Sequence, residues 1–149
     1  VGWDAGGGYG SFPISNPPGN PGYPISVNWV SGASTNYGQV NEIPEDGDGT
    51  YVYDATIGEA DFYTISPLDG TPAATIGVVT RGLARKSDAG TRLGEVRLNS
   101  HGNISTSPLT PLSSSWAWLY VVDLTDPYTA AAWTAAAVDA AQIGPFVAG

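Results

Sequence analysis

Residues 75–98 read TIGVVTRGLARKSDAGTRLGEVRL, and the fold turns on how the chain passes through Asp88-Ala89-Gly90 in their middle. Both flanks alternate with the period of a strand. Arg81, Leu83 and Arg85 share one side of the first, and Leu93, Glu95 and Arg97 share one side of the second. Gly90 supplies a residue at ease with positive φ, so the flanks, 75–85 and 91–98, are expected to pair as an antiparallel hairpin. All five positive charges of the chain, Arg81, Arg85, Lys86, Arg92 and Arg97, fall inside this stretch, although the formal net charge is −9. In a hairpin they would share one polar sheet face. Glu95 would then partner an arginine across the strands, and Asp88 would lie near Lys86 and Arg92 at the tip.

Outward from this stretch the pattern repeats. Short runs rich in β-branched and aromatic residues at 25–30, 51–54, 61–65, 105–109 and 116–124 are further candidate strands. PEDGDG at 44–49, PLDGTP at 67–72 and NSHGN at 99–103 are turn sequences that separate them. In SWAWLYVVDL, 115–124, Trp116, Trp118, Tyr120 and Val122 fall on one face, and Ala117, Leu119 and Val121 on the other. Both faces are apolar, which predicts a central strand covered on two sides. The Ala-rich segment 129–144 predicts one helix, with Thr134 as cap, Trp133, Val138 and Ile143 as anchors, and Gly144-Pro145 as stop. A last short strand is expected at 145–148. The fold class is mainly β: a single antiparallel β-sandwich or jelly-roll-like domain over 25–149 with one short C-terminal helix.

Residues 1–24 are different. VGWDAGGGYGSFPISNPPGNPGYP is rich in Gly and Pro, which disfavour both helix and regular strand. An extended N-terminal arm is expected, and it carries Trp3, Tyr9, Phe12, Ile14 and Tyr23, large groups that a free arm cannot bury in a core of its own. Two readings fit such a segment, a flexible tail or an arm that gains order by lying across a neighbouring subunit.

Composition narrows the function. Charged residues are 13% of the 149, about half the usual share, so few charges keep a neighbouring copy away. The acidic balance argues against nucleic acid, whose binding depends on Lys and Arg at phosphates. With no Cys there is no disulfide frame, no thiolate metal ligand and no thiol nucleophile. The opening residues have neither a basic n-region nor an apolar h-region, so no signal peptide is expected to remain, and a first residue other than Met is expected either from removal of the initiator or from cleavage of a longer precursor. No apolar run approaches the ~20 residues of a membrane span.

Catalytic constellations are thin. The one His, His101, stands in the turn NSHGN, and no GxSxG elbow accompanies it. Glu42, Glu45, Asp46, Asp48, Glu59 and Asp61 could in principle supply a carboxylate pair for sugar hydrolysis, but they cluster in turn-like segments. Asp46 and Asp48, in EDGDG, are weak calcium candidates, lacking the closing bidentate Glu of an EF-hand loop. Asn103-Ile104-Ser105 fits the glycosylation triplet, which matters only in a glycosylating host. Neither catalytic residues nor a cofactor are expected.

The stretches GDGTYVYDATIGEADFYTI (47–65), TIGVVTRGLARKSDAGTR (75–92), LSSSWAWLY (112–120) and DPYTAAAWTAAAVDAAQIG (126–144) together resemble a domain of structural proteins of tailed bacteriophages. The resemblance covers about 41–149. It implies a β-sandwich in the virion, a non-enzymatic role, and as partners copies of the chain itself or a major capsid or other virion protein. A capsid-decorating or cementing protein is the favoured expectation, with a tail or filament subunit as the runner-up. The expected contact residues are Trp3, Tyr9, Phe12 and Tyr23 in the arm and Arg81, Arg85, Lys86, Arg92 and Arg97 on the hairpin, the cations docking an acidic neighbour. A carbohydrate-binding or adhesin module is the competing class. It requires exposed rings at Trp116 and Trp118, which a central strand would bury.

Overall fold

A computed structural model describes residues 40, 48–49, 51–65, 67–68 and 72–149, together with the backbone of 2–4, 14–15 and 30–31. Among the described residues the strands are β1 (Gly2–Asp4), β2 (Ile14–Ser15), β3 (Val30–Ser31), β4 (Val52–Tyr53), β5 (Tyr63–Ile65), β6 (Val78–Arg85), β7 (Leu93–Ser100), β8 (Asn103–Thr106), β9 (Thr110–Pro111), β10 (Ala117–Asp123) and β11 (Gln142–Ala148). One helix, α1 (Ala135–Ala140), precedes β11. Sheet A has the order β10-β6-β1-β4-β3, and sheet B the order β2-β5-β11-β7-β8, with β9 also on β7. The pairs are antiparallel throughout. The expected mainly β sandwich with one short helix is the fold observed.

The hairpin at 75–98 is not. β6 pairs with β10 and β1 in sheet A, and β7 pairs with β11, β8 and β9 in sheet B. The chain through 86–92 therefore passes from one sheet to the other. Alternation along two neighbouring strands is the same for a hairpin and for such an arch, because each leaves one side of each strand inward. Here Ala84 and Val96 meet in one core cluster across the two layers. Lys86 N–H donating to the Ser113 carbonyl, 2.8 Å, and Leu112 N–H to Arg92, 2.9 Å, tie the arch to the segment before β10.

The hairpin that does form joins β7 to β8, with Ser100 opposite Asn103. Its two central residues, His101 at φ 51° and Gly102 at φ 90°, have the paired positive φ of the tight turn that suits strand twist. Gly102 N–H donates to Asn99 Oδ1, 2.8 Å, closing the turn.

The core has two parts. Val40, Val52, Ala84 and Leu119 meet Tyr63, Val96, Leu112 and Val147 between the sheets. Leu98, Trp133 and Val138, with Ile65, Leu68, Val78 and Ala137, form a second cluster around α1. Thr134 Oγ1 accepts from Ala137 N–H, 3.1 Å, as the expected cap. Trp133 Nε1 donates to the Asp123 carbonyl, 2.9 Å, at the end of β10.

The helix is far shorter than the Ala-rich run suggests, six residues from Ala135 to Ala140, and Gly144-Pro145 lies inside a strand. β11 runs through them between β5 and β7. Ile143 and Val147 pack into the inter-sheet core there, so packing overrides Ala propensity, a weak prior. Pro145 has no N–H to give, and only its carbonyl bonds to Asp61, accepting from the Asp61 N–H at 3.3 Å. The Asp61 carbonyl is instead turned against Gly144, where a Cβ would sit 1.7 Å from the oxygen. The same register resumes at the bridge of Ala60 with Phe146. The two residues that signal a helix stop are together the solution to a proline in mid-sheet.

Two pieces of the arm are also strands, against the expectation of none. Gly2–Asp4 lies between β4 and β6, with Trp3 opposite Val52 and Ala84. Ile14–Ser15 pairs with β5. Pairing on both edges gives β1 backbone bonds that offset the poor strand propensity around it. Most of the predicted 25–30 strand lies outside the described residues, with Val30 in β3.

Candidate interaction face

β10 carries the expected alternation but not the expected burial. It is the edge of sheet A. Leu119 points into the core, while Trp118, Tyr120 and Val122 stand on the outer face, 41%, 61% and 53% exposed. Val79 on β6, paired with Val122, is 61% exposed beside them. An apolar pattern on both faces signals that both are meant to be covered; the fold covers one. Ile76 and Leu124 continue the exposed apolar strip past the end of the strands.

Two arginines of β6 lie within this face. Arg81, opposite Tyr120, places its guanidinium 4.5 Å from the Trp118 ring centre. Arg85 lies 5.0 Å from the ring centre of Trp116. Asp48 binds both members of the second pair, 2.5 Å from Arg85 and accepting from Trp116 Nε1 at 3.2 Å. Tyr51 packs edge-on to Trp116 with centres 6.3 Å apart and equally close to exposed Tyr53. Arg81 enters none of the ion pairs among the described residues.

The other cations are dispersed by the arch. Lys86 donates to the Gly90 carbonyl and Arg92 pairs with Asp88 at 2.9 Å, so the expected grouping at the tip forms locally. Arg97 stands on the outer face of sheet B, bonded through Nε to Glu95 on its own strand at 2.7 Å and 3.3 Å above the Phe146 ring. The single polar face of five cations is therefore replaced by three separate settings. Glu95 serves Arg97 on the same strand, because β6 is a full layer away. Of the arm residues, Trp3 is placed by its backbone in β1, and Tyr9, Phe12 and Tyr23 lie outside the described residues.

Among the described residues no three of His, Cys, Asp and Glu come together as a metal set, and Asp48 is engaged by Arg85 and Trp116. Asp46 is outside the described residues. His101 stacks on Tyr128 with centres 4.8 Å apart, beside a buried Ser100 whose hydroxyl donates to Asp126 at 2.5 Å. Asp126 also accepts from Tyr128 N–H and the Thr129 hydroxyl. Burial would raise this carboxyl, but the bonds from Ser100, Tyr128 and Thr129 outweigh it and hold the pKa below its ordinary value. Such a carboxylate fixes the loop after β10; its hydrogen-bond capacity is spent on the turn.

Compared with protein-family models, with curated proteins and with solved structures, the chain has no match. The missed signal was the edge position of β10. No sequence feature fixes it, since it depends on which strand takes the other side of β6.

Proposed function

We propose that this protein is a non-enzymatic contact protein that works through the outer face of sheet A. In keeping with its resemblance to virion structural domains, the reading is a component of a phage particle. A capsid-decorating or cementing role comes first, and a tail or filament subunit second. The observation that carries the proposal is the exposure of Trp118, Tyr120, Val122 and Val79 around Arg81 on one sheet face. Trp, Tyr and Arg are the residues that dominate protein contacts, because each offers large area together with a polar handle. A monomer gains nothing from leaving this much apolar surface in water.

A glycan-binding module is the second reading, favoured by the exposed ring of Trp118. Against it, the Arg81 guanidinium lies over that ring, and the neighbours Val79 and Val122 supply none of the fixed polar groups a sugar needs.

The test is a pair of surface variants, Trp118→Ser and Val79→Ser, studied by sedimentation and by titration with a glycan panel. Concentration-dependent association of the parent chain, with itself or with a capsid lattice, that both variants weaken supports the contact role. Saturable quenching by one glycan, lost in Trp118→Ser and kept in Val79→Ser, would reassign the face to sugar recognition.

A further inference from the structure

The edges of the two sheets are treated unequally. β2, β3 and β9 are each two residues long, β9 carries Pro111, and β8 has four residues. β10 has seven, with no Lys, Arg, Glu or Pro among them, and no described strand pairs with its outer edge. Long edges without such guards are templates for another strand.

We infer that β10 pairs antiparallel with β10 of a second copy about a two-fold axis at Tyr120, joining two A sheets into one. This rests on the contact role proposed for the same face. The sequence of β10 is self-complementary about that point. Tyr120 meets Tyr120, Trp118 meets Val122 and Leu119 meets Val121, so every apolar residue faces an apolar one on its own side of the sheet. Aromatic and β-branched cross-strand pairs of this kind stabilise antiparallel sheets, and a two-fold contact requires such self-complementarity.

Charge does not oppose this register. Ala117 of each copy lies against Asp123 of the other on the inner side of the sheet, where Asp123 Oδ1 already accepts from the Ser105 hydroxyl at 2.6 Å, so no like charges meet along the seam. The two Arg81 side chains are three strand spacings apart, about 14 Å, beyond the ~8–10 Å reach of charge in ordinary salt. The exposed face becomes continuous across the axis, so the pair offers a wider apolar surface to any larger lattice.

The chain has no Cys, so one introduced thiol reports without background. Tyr120→Cys puts the thiol on the axis, where paired residues lie about 4.5–5.5 Å apart between Cα atoms, within disulfide reach. Val79→Cys is the control, equally exposed on the same face but one strand further from the edge. The parent chain should sediment as a dimer. Under mild oxidation Tyr120→Cys should convert to a species of doubled mass at least tenfold faster than Val79→Cys, and Tyr120→Lys, which sets like charges face to face, should sediment as a monomer. Equal cross-linking of the two cysteine variants, or a monomeric parent chain, overturns the pairing. If the parent associates with itself or a capsid lattice and Trp118→Ser weakens this while the cysteine variants cross-link equally, the face remains the contact surface and only the edge geometry fails.

Discussion

On the outer face of sheet B, Asn99 donates to Gln142 at 3.0 Å, Glu95 holds Arg97, and Arg97 covers Phe146. Glu95, Asn99 and Gln142 are all buried. On the outer face of sheet A the corresponding positions are Trp118, Tyr120, Val122 and Val79, and they are open. Strand alternation is the same in both. Sheet B uses its outer positions for polar groups that satisfy one another, which makes burial inexpensive; sheet A uses them for groups whose favourable state is dry. One face is finished within the chain, and the other gains its full hydrophobic energy only on contact.

The contrast breaks most decisively at Gly144. Gly144→Ala forces a methyl into the Asp61 carbonyl, a backbone atom that cannot step aside. Loss of about 4 kcal/mol or more is expected, at the extreme of single substitutions, read as a fall in the urea midpoint or as failure to fold. Leu98→Ala in the core should cost about 2–5 kcal/mol by the same measurement. A result under ~1 kcal/mol would mean that the α1 cluster is not packed as described.

Acid sharpens the comparison next. The Asp126 pKa is lower in the folded chain than in the unfolded one, so its contribution is complete above the ordinary carboxylate value of about 3.9 and lost as pH falls through the folded value. Stability of the parent should therefore drop across that acid window, and Asp126→Asn should show a shallower drop with lower stability at neutral pH. Parallel curves for the two proteins would remove Asp126 from the account.

The smallest effect should come from the open face itself. In the monomer, Val122→Ser and Val79→Ser should change the stability read from the urea midpoint by no more than about 0.5 kcal/mol, as surface positions do. Trp118→Ser, which also loses the Arg81 contact, should cost about 0.5–1 kcal/mol. A cost of several kcal/mol at Val79 or Val122 would show that this face is already covered within the monomer.

Much of the fold is legible in local sequence. Period two in 78–85, 93–100 and 117–123, the positive-φ residues at the 101–102 turn, and Thr134 ahead of an Ala run each act over a few residues, where backbone sterics and capping decide. The partition of β10 into an apolar inner and an apolar outer face was likewise readable residue by residue. Composition showed how few charges guard the surface.

Pairing belongs to the tertiary structure. Whether 86–92 turns back on itself or crosses between layers depends on β10 and β11, which arrive from far along the chain to occupy the edges of β6 and β7. Whether Gly144-Pro145 ends a helix or threads a sheet depends on Asp61, some eighty residues away in sequence. Whether Trp118 is buried depends on β10 being last in its sheet. The physical reason is shared: local sterics select a strand and its two faces, but the hydrogen-bonding edges of a strand carry no side chain, and only the assembled core decides what fills them.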